Sequence, residues 1–187
     1  MDIRQLFFKL RSYTPIPLLV LLLITAKPAL GPFIWGLIFM FIGEMIRLWA
    51  VAYAGGATRT RHVGAPLLVT SGPFAYTRNP LYIANTLIYV GVVFLAGGNP
   101  LWIIVALAFS ALQYKLIVSL EEETLSNLFG FEYEFYRQKV PGWMPRFSPW
   151  SWMIPRNPDW KDSWRNEKHT RTNLIIAVVV FGLIGLL

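Results

Sequence analysis

Residues 80–96 and 100–120 are two apolar runs separated only by Gly97, Gly98 and Asn99. So short a link leaves the second run no path except back along the first, which makes the pair an antiparallel helical hairpin. Each run opens on Asn-Pro, at Asn79-Pro80 and at Asn99-Pro100. Proline at the first helical position forfeits no needed donor, and the asparagine before it can cap the first free N–H groups.

Three further apolar runs frame this hairpin, at residues 16–26, 33–54 and 174–187. The run at 33–54 is long enough to cross about 30 Å of hydrocarbon. The first run is short, bounded by Lys27-Pro28, and lacks a small-residue cleavage pattern, so it is expected to be a retained anchor rather than a signal peptide. The last holds fourteen residues and spans only if its helix starts earlier, near Glu167; otherwise it is tilted or shallow. With 55% hydrophobic residues, 14% charged residues and a mean hydropathy of +0.48, the chain exceeds what a soluble core requires. The expected fold is therefore all-α and integral to the membrane. It forms a single domain over 1–187, a bundle of about five transmembrane helices, with 121–172 as a helical and interfacial region on one side.

Basic residues orient the bundle. Arg4, Lys9 and Arg11 precede the first run, Arg59, Arg61 and Arg78 fall in 55–79, and eight more lie in 121–172, against Lys27 alone on the other side. The positive-inside rule then puts the amino terminus, the Arg78 loop and the 121–172 region in the cytoplasm. The net charge of +7 faces anionic lipid headgroups there. Nucleic acid is not the expected partner, since no soluble basic domain is present to bind it. The absence of cysteine excludes disulfides, thiol nucleophiles and cysteine zinc sites, and His62 and His169 are too few and too distant for a metal cluster. Five tryptophans, Trp143, Trp150, Trp152, Trp160 and Trp164, stand in a proline-broken basic stretch after Pro141. That pattern suits a segment lying along the bilayer surface, either as an aromatic belt or as a lid over substrate entry.

Ionisable residues mark the chemistry. Glu121, Glu122 and Glu123 follow the fourth run, and three acids at a helix carboxyl end oppose its dipole, so the helix is expected to continue. Leu125, Phe129, Tyr133, Tyr136 and Val140 recur at helical spacing and predict an amphipathic extension folded back on a pocket. Arg78 and the amino end of the third run reach the same depth and together predict an anion site opposite the Glu121-Glu122 pair. Within the second run, Glu44 and Arg47 lie on neighbouring faces of one helix. They are either a self-neutralising ion pair or a site in which Arg47 reaches toward cofactor or substrate. Lys115 is the nearest basic residue to the acids on the fourth run and can either snorkel outward or serve substrate. Gly55-Gly56 belongs to neither a Rossmann nor a Walker element and reads as a helix stop.

Gly72-Pro73-Phe74-Ala75-Tyr76-Thr77-Arg78-Asn79-Pro80-Leu81-Tyr82 is followed, one hairpin later, by Glu121-Glu122 and by Phe129-Gly130, Tyr133, Tyr136 and Val140-Pro141. Alone, Arg-x-Pro-x-Tyr can be a capped helix start and Glu-Glu a solvated helix end. Together, over residues 43–145, they resemble the integral-membrane methyltransferases, which include isoprenylcysteine carboxyl methyltransferases and phospholipid N-methyltransferases. The resemblance implies S-adenosylmethionine as cofactor, held at Leu67, Leu68, Val69, Phe74, Asn79, Pro80, Leu81, Tyr82 and Glu121, with Tyr76 adding aromatic surface. Arg78, Glu121 and Glu122 become the catalytic candidates, and Arg47 and Lys115 the substrate candidates. Some members carry histidine where this chain has Pro66 and Asn79.

The implied acceptor is a membrane lipid or a lipidated, amphipathic small molecule. A carboxylate needs no base, and its methylation neutralises charge, which a dry pocket favours. An amine of the phosphatidylethanolamine type must first lose a proton, for which Glu121 or Glu122 is the candidate base. Carboxyl methyltransferases of prenylated cysteine typically place an arginine one turn before the glutamate pair, where this chain has Ile117. The carboxyl branch nonetheless remains the closer resemblance through residues 69–82. A non-catalytic scaffold or carrier is the contrasting class, and a sterol-reductase-like NADPH enzyme is disfavoured because no further nucleotide-binding element is evident.

Overall fold

The computed structural model describes residues 2–55, 64, 66–152 and 154–186. Gly56, Arg59, Arg61 and His62, which the sequence reading placed in a helix stop, a basic loop and a histidine count, lie outside the described residues. Among the described residues every regular element is helical: α1 (Ile3–Leu10), α2 (Ile16–Thr25), α3 (Leu30–Ala54), α4 (Pro80–Leu95), α5 (Pro100–Phe129), α6 (Phe131–Lys139), α7 (Trp160–Asn166) and α8 (Lys168–Ile184). A 3₁₀ turn occupies Gly72–Ala75 ahead of α4. All five apolar runs lie in helices, and α8 begins at Lys168, beside Glu167. By length and composition α3 and α5 suffice to cross a membrane, while α2 and α4 are apolar but shorter.

The α4–α5 hairpin forms as its spacing predicts, with one difference at the caps. Asn99 Oδ1 accepts from the Leu101 N–H at 2.9 Å, but Asn79 caps nothing and instead donates Nδ2 to the Gly142 carbonyl at 3.1 Å. The proline at the start of α4 holds the helical turn, and the asparagine side chain is drawn into the segment that follows α6. Helix α5 runs unbroken through the three acids because each finds a partner. Glu121 accepts from Tyr82, Glu122 from Arg78 and Glu123 from Arg4. These partners offset the mutual repulsion and the unfavourable dipole that three adjacent carboxylates would otherwise feel.

Helices α3 and α4 approach backbone to backbone through small residues spaced seven apart on both sides. A Cβ on Gly36 would stand 2.8 Å from the Gly91 carbonyl, and one on Gly43 would stand 2.8 Å from the Ala84 carbonyl. Between apolar helices, such close van der Waals contact is what drives association. Toward the hairpin turn, Leu22, Met40, Val93, Leu95, Ala106 and Phe181 from α2, α3, α4, α5 and α8 close one buried cluster. At the other end, Phe8 of α1 packs with Tyr114, Ile117 and Leu120 of α5. The outward faces carry exposed apolar side chains, among them Val20, Ile24, Trp35, Phe41, Ile104, Leu112, Ile175 and Val179. This is the kind of surface that a bilayer, not water, solvates.

Gly130, at φ 50°, breaks the line of α5 and turns α6 back beneath it. The predicted amphipathic stripe then closes: Tyr133, Tyr136 and Val140 are buried with Leu68 and Trp150, and Leu125 and Phe129 pack against them. Of the five tryptophans read as interfacial, Trp143, Trp152, Trp160 and Trp164 are exposed. Trp150 is not: its ring is buried 5.8 Å from Phe135 and 5.6 Å from Tyr136, because the 141–150 segment folds inward to meet α6. Helix α7 finishes α3, with the Asp159 N–H donating to the Ala52 carbonyl at 2.8 Å and Ser163 Oγ to the Leu48 carbonyl at 2.7 Å. Carbonyls of the last turns of α3 are thereby satisfied.

Candidate active site

The loop ahead of α4 is held from two sides. Gly72 has φ 60°, and a Cβ there would lie 2.5 Å from the Tyr53 ring, so the turn can sit against α3 only without a side chain. From the other side the post-α6 segment bonds to it repeatedly. The Trp150 N–H donates to the Ala75 carbonyl, the Arg146 N–H to the Tyr76 carbonyl and the Arg78 N–H to the Pro141 carbonyl, each at 2.9 Å. Tyr136 donates its hydroxyl to the Phe74 carbonyl at 2.7 Å. Burial pushes the Tyr136 phenol far above its usual range, which fixes it as a donor.

Arg78 does not stand as an open anion site facing a carboxylate pair. Its Nε and NH2 both donate to Glu122 Oε1, at 3.1 and 2.8 Å, and its NH1 donates to the Arg137 and Val140 carbonyls at 2.9 and 2.6 Å. The planar fork suits this bridging role, which a lysine cannot fill. Arg78 and Glu122 thus clasp the α4 entrance, α5 and the end of α6 into one unit.

Inside the clasp lies a half-open cavity of about 910 Å³, within the range of small-molecule sites. Leu67, Leu68, Val69, Phe74, Arg78, Asn79, Pro80, Leu81, Tyr82, Glu121 and Glu122 all line it. Tyr76 does not; its ring packs 5.9 Å from Trp49. Lys115 does not either: Gln113 and Tyr114 take the inward face of α5, and Lys115 is turned out and exposed. At the polar end of the cavity Tyr82 donates to Glu121 Oε1 at 2.7 Å, and its ring lies 4.8 Å from Tyr114. Away from that end the walls become apolar, with Leu19, Leu22 and Leu23 from α2 and Leu174, Ala177 and Phe181 from α8.

Arg47 also lines the cavity, and the hydrogen bonds resolve its partner. It forks onto Glu167 at the start of α8, with Nε and NH2 at 2.9–3.0 Å from the carboxylate, and its NH1 donates to Asn85 Oδ1. The carboxylate bound by Arg47 therefore comes from 120 residues away, not from Glu44 one turn back. Sequence reasoning did not single out Asn85, Tyr89, Gln113 and Tyr114, which line the cavity, or the pairing of Glu167 with Arg47. Asn85 and Gln113 carried a signal, being polar side chains inside apolar runs. Glu167 was legible only as a helix start, since nothing local ties it to Arg47. Among the described residues no group of three or more His, Cys, Asp or Glu is placed to hold a metal ion.

The profile of the phospholipid methyltransferase family matches residues 32–132, more than half of the chain. The chain is 34% identical over 113 residues to the nickel-cobalt-cadmium resistance protein NccN of Alcaligenes xylosoxydans xylosoxydans, covering 60% of this chain and 49% of that protein. It is 33% identical over 116 residues to the protein-S-isoprenylcysteine O-methyltransferase of Schizosaccharomyces pombe, covering 57% and 47%. The Xenopus laevis protein-S-isoprenylcysteine O-methyltransferase is 30% identical over 129 residues, covering 65% and 44%. The chain thus spans about half the length of the curated relatives it matches. No solved structure matches it. The matched region contains α4 and α5 with Arg78, Tyr82, Glu121 and Glu122, and the chain belongs to the phospholipid methyltransferase family.

Proposed function

We propose that the protein is an S-adenosylmethionine-dependent methyltransferase acting on a lipid-linked or amphipathic acceptor, most like the isoprenylcysteine carboxyl O-methyltransferases. We further place α2, α3, α4, α5 and α8 as five membrane spans, with the amino terminus and cavity mouth at the cytoplasmic face. The observation that carries the reading is one cavity with the Tyr82–Glu121 pair at a polar end and leucine-rich walls of α2 and α8 at the other.

The residues fit the cofactor. Glu121 Oε2 and the backbone of 67–69 offer acceptors and donors for an amino acid and ribose, and Phe74 and Tyr82 offer ring faces to adenine or to a sulfonium cation. When bound, S-adenosylmethionine supplies a methyl group carried on positive sulfur. The chain does the rest. Tyr82 fixes the Glu121 carboxylate, the Arg78–Glu122 clasp fixes the loop, and the apolar α2 and α8 walls exclude water and align a lipid tail. A carboxylate acceptor needs no proton removed, so alignment and desolvation are the chief contributions.

A phospholipid amine is the second reading, and one observation favours it. Glu122 is engaged by a guanidinium, whereas the bond to Glu121 comes from a phenol, so Glu121 is the carboxylate suited to accept a proton inside the cavity. The test is titration of the detergent-solubilised chain with S-adenosylhomocysteine, followed by incubation in membranes with methyl-labelled cofactor. Binding that Glu121→Gln abolishes, with label in a lipid fraction, is the expected result. No binding to the native chain would leave the scaffold class in its place.

A further inference from the structure

A second polar locus lies in the cavity wall where α3, α4 and α8 meet. Arg47 lines the cavity with 14% of its side chain exposed, while the Glu167 carboxylate behind it is 0% exposed. A ligand therefore meets the guanidinium and not its counter-charge. Asn85 turns Oδ1 to Arg47, which leaves Nδ2, a donor, as its other polar group. Tyr89 and Tyr114, which line the cavity within range of the Arg47 charge, each have a hydrogen to donate. Apolar side chains of Leu22, Val92 and Phe181 line the same cavity.

We infer that this Arg47 corner is a subsite for the anionic oxygen of the acceptor, a carboxylate or a phosphate, with Glu167 as the positioning residue that aims the guanidinium. The inference rests on the methyltransferase reading only in calling the ligand an acceptor. A mere tie between α3 and α8 would explain the ion pair but not why its cationic half alone lines the cavity. Burying the pair costs desolvation, and anchoring a ligand oxygen gives that cost a function. A corner of donors beside a cation rejects an ammonium and welcomes an oxyanion. It also supplies, from α3, the cation that Ile117 cannot: that side chain is 0% exposed and packs with Phe8 and Tyr114.

The test compares dodecanoate, dodecyl phosphate, dodecanol and dodecylamine, below their micellar concentrations, as ligands of the full chain in nanodiscs. S-adenosylhomocysteine is titrated in parallel. The expected result is that an anionic probe binds at least tenfold more tightly than the alcohol or amine, with the tighter of the two anions identifying a carboxylate or a phosphate source. The double variant Arg47→Gln/Glu167→Gln, which removes both charges of the pair together, removes that preference. Asn85→Asp keeps the Arg47–Glu167 pair intact, adds a negative charge to the corner and weakens the anions at least tenfold. Equal affinity for dodecanol and dodecanoate, or a preference that survives both variants, overturns the subsite even where S-adenosylhomocysteine binds normally. Absent S-adenosylhomocysteine binding with an intact, variant-sensitive anion preference removes the methyltransferase reading and keeps the subsite.

Discussion

Tyr82 of α4 donates its hydroxyl to Glu121 of α5 at 2.7 Å, joining two residues 39 apart across the open end of a hairpin. The bond exists because the Gly97-Gly98-Asn99 turn returns α5 alongside α4 and because α5 continues past the acids. It sets the direction of the one carboxylate in the acidic triplet that lines the cavity without a bonded guanidinium. Tyr82→Phe keeps the ring against Tyr114 and removes only the donor. A hydrogen bond to a charged group contributes about 1.5–3 kcal/mol, and partial solvation of Glu121 in the cavity recovers part of it. The expected outcome is a small fall in thermal midpoint with roughly tenfold weaker S-adenosylhomocysteine binding, read by titration calorimetry.

The Arg78 clasp leads to the opposite balance. Arg78→Ala leaves Glu122 only its longer 3.9 Å contact with Arg137 and strands two carbonyls, of Arg137 and Val140, that the guanidinium now serves. Breaking a largely buried ion pair from one side costs about 3 kcal/mol or more. Arg78→Lys restores charge but not the fork, so it is expected to recover less than half of that loss. Stability against denaturant in detergent measures both, and an alanine variant as stable as the native chain would remove Arg78 from this role.

What could be read in the residues was local or periodic. The hairpin followed from link length, the continuation of α5 from the acidic triplet, and the α6 stripe from spacing at Leu125, Phe129, Tyr133, Tyr136 and Val140. What escaped was pairing at long range. Arg47 had an acid one turn away in Glu44, yet its bidentate partner is Glu167, because the face of α3 that carries Arg47 meets the start of α8. Asn79 looked like a cap and became a bond to Gly142 for the same reason. Motif order placed Lys115 near the acids, but Gln113 and Tyr114 take the inward face of α5 at that level and Lys115 is exposed. Spacing along one helix fixes which of its residues share a face, but not which partner from another helix that face meets.

The α3–α4 seam should tolerate no side chain. A Cβ on Gly91 would lie 2.6 Å from Met40 Cγ and 2.9 Å from the Gly36 carbonyl; on Gly36 it would meet backbone at 2.8 Å. The Met40 chain can move and the carbonyl cannot. Gly36→Ala is therefore expected to cost about 2–3 kcal/mol and Gly91→Ala somewhat less, in the range typical of overpacked cores. Thermal unfolding of the two variants should rank them in that order.

Tyr136 tests whether the loop ahead of α4 is shaped from below. Its side chain is buried, and its hydroxyl serves the carbonyl of Phe74, a cavity-lining residue. Tyr136→Phe preserves the packing against Trp150 and leaves that carbonyl to find another donor. The loss is about 1 kcal/mol of folding stability. Because the carbonyl belongs to the loop that forms the pocket, a several-fold loss of S-adenosylhomocysteine affinity should accompany it. Phe135→Leu, which loosens the same aromatic cluster without touching the loop's hydrogen bonds, should lower the thermal midpoint comparably and leave affinity unchanged. Equal affinity losses in both variants would mean that the cluster acts on the pocket through general loosening and not through the Phe74 carbonyl.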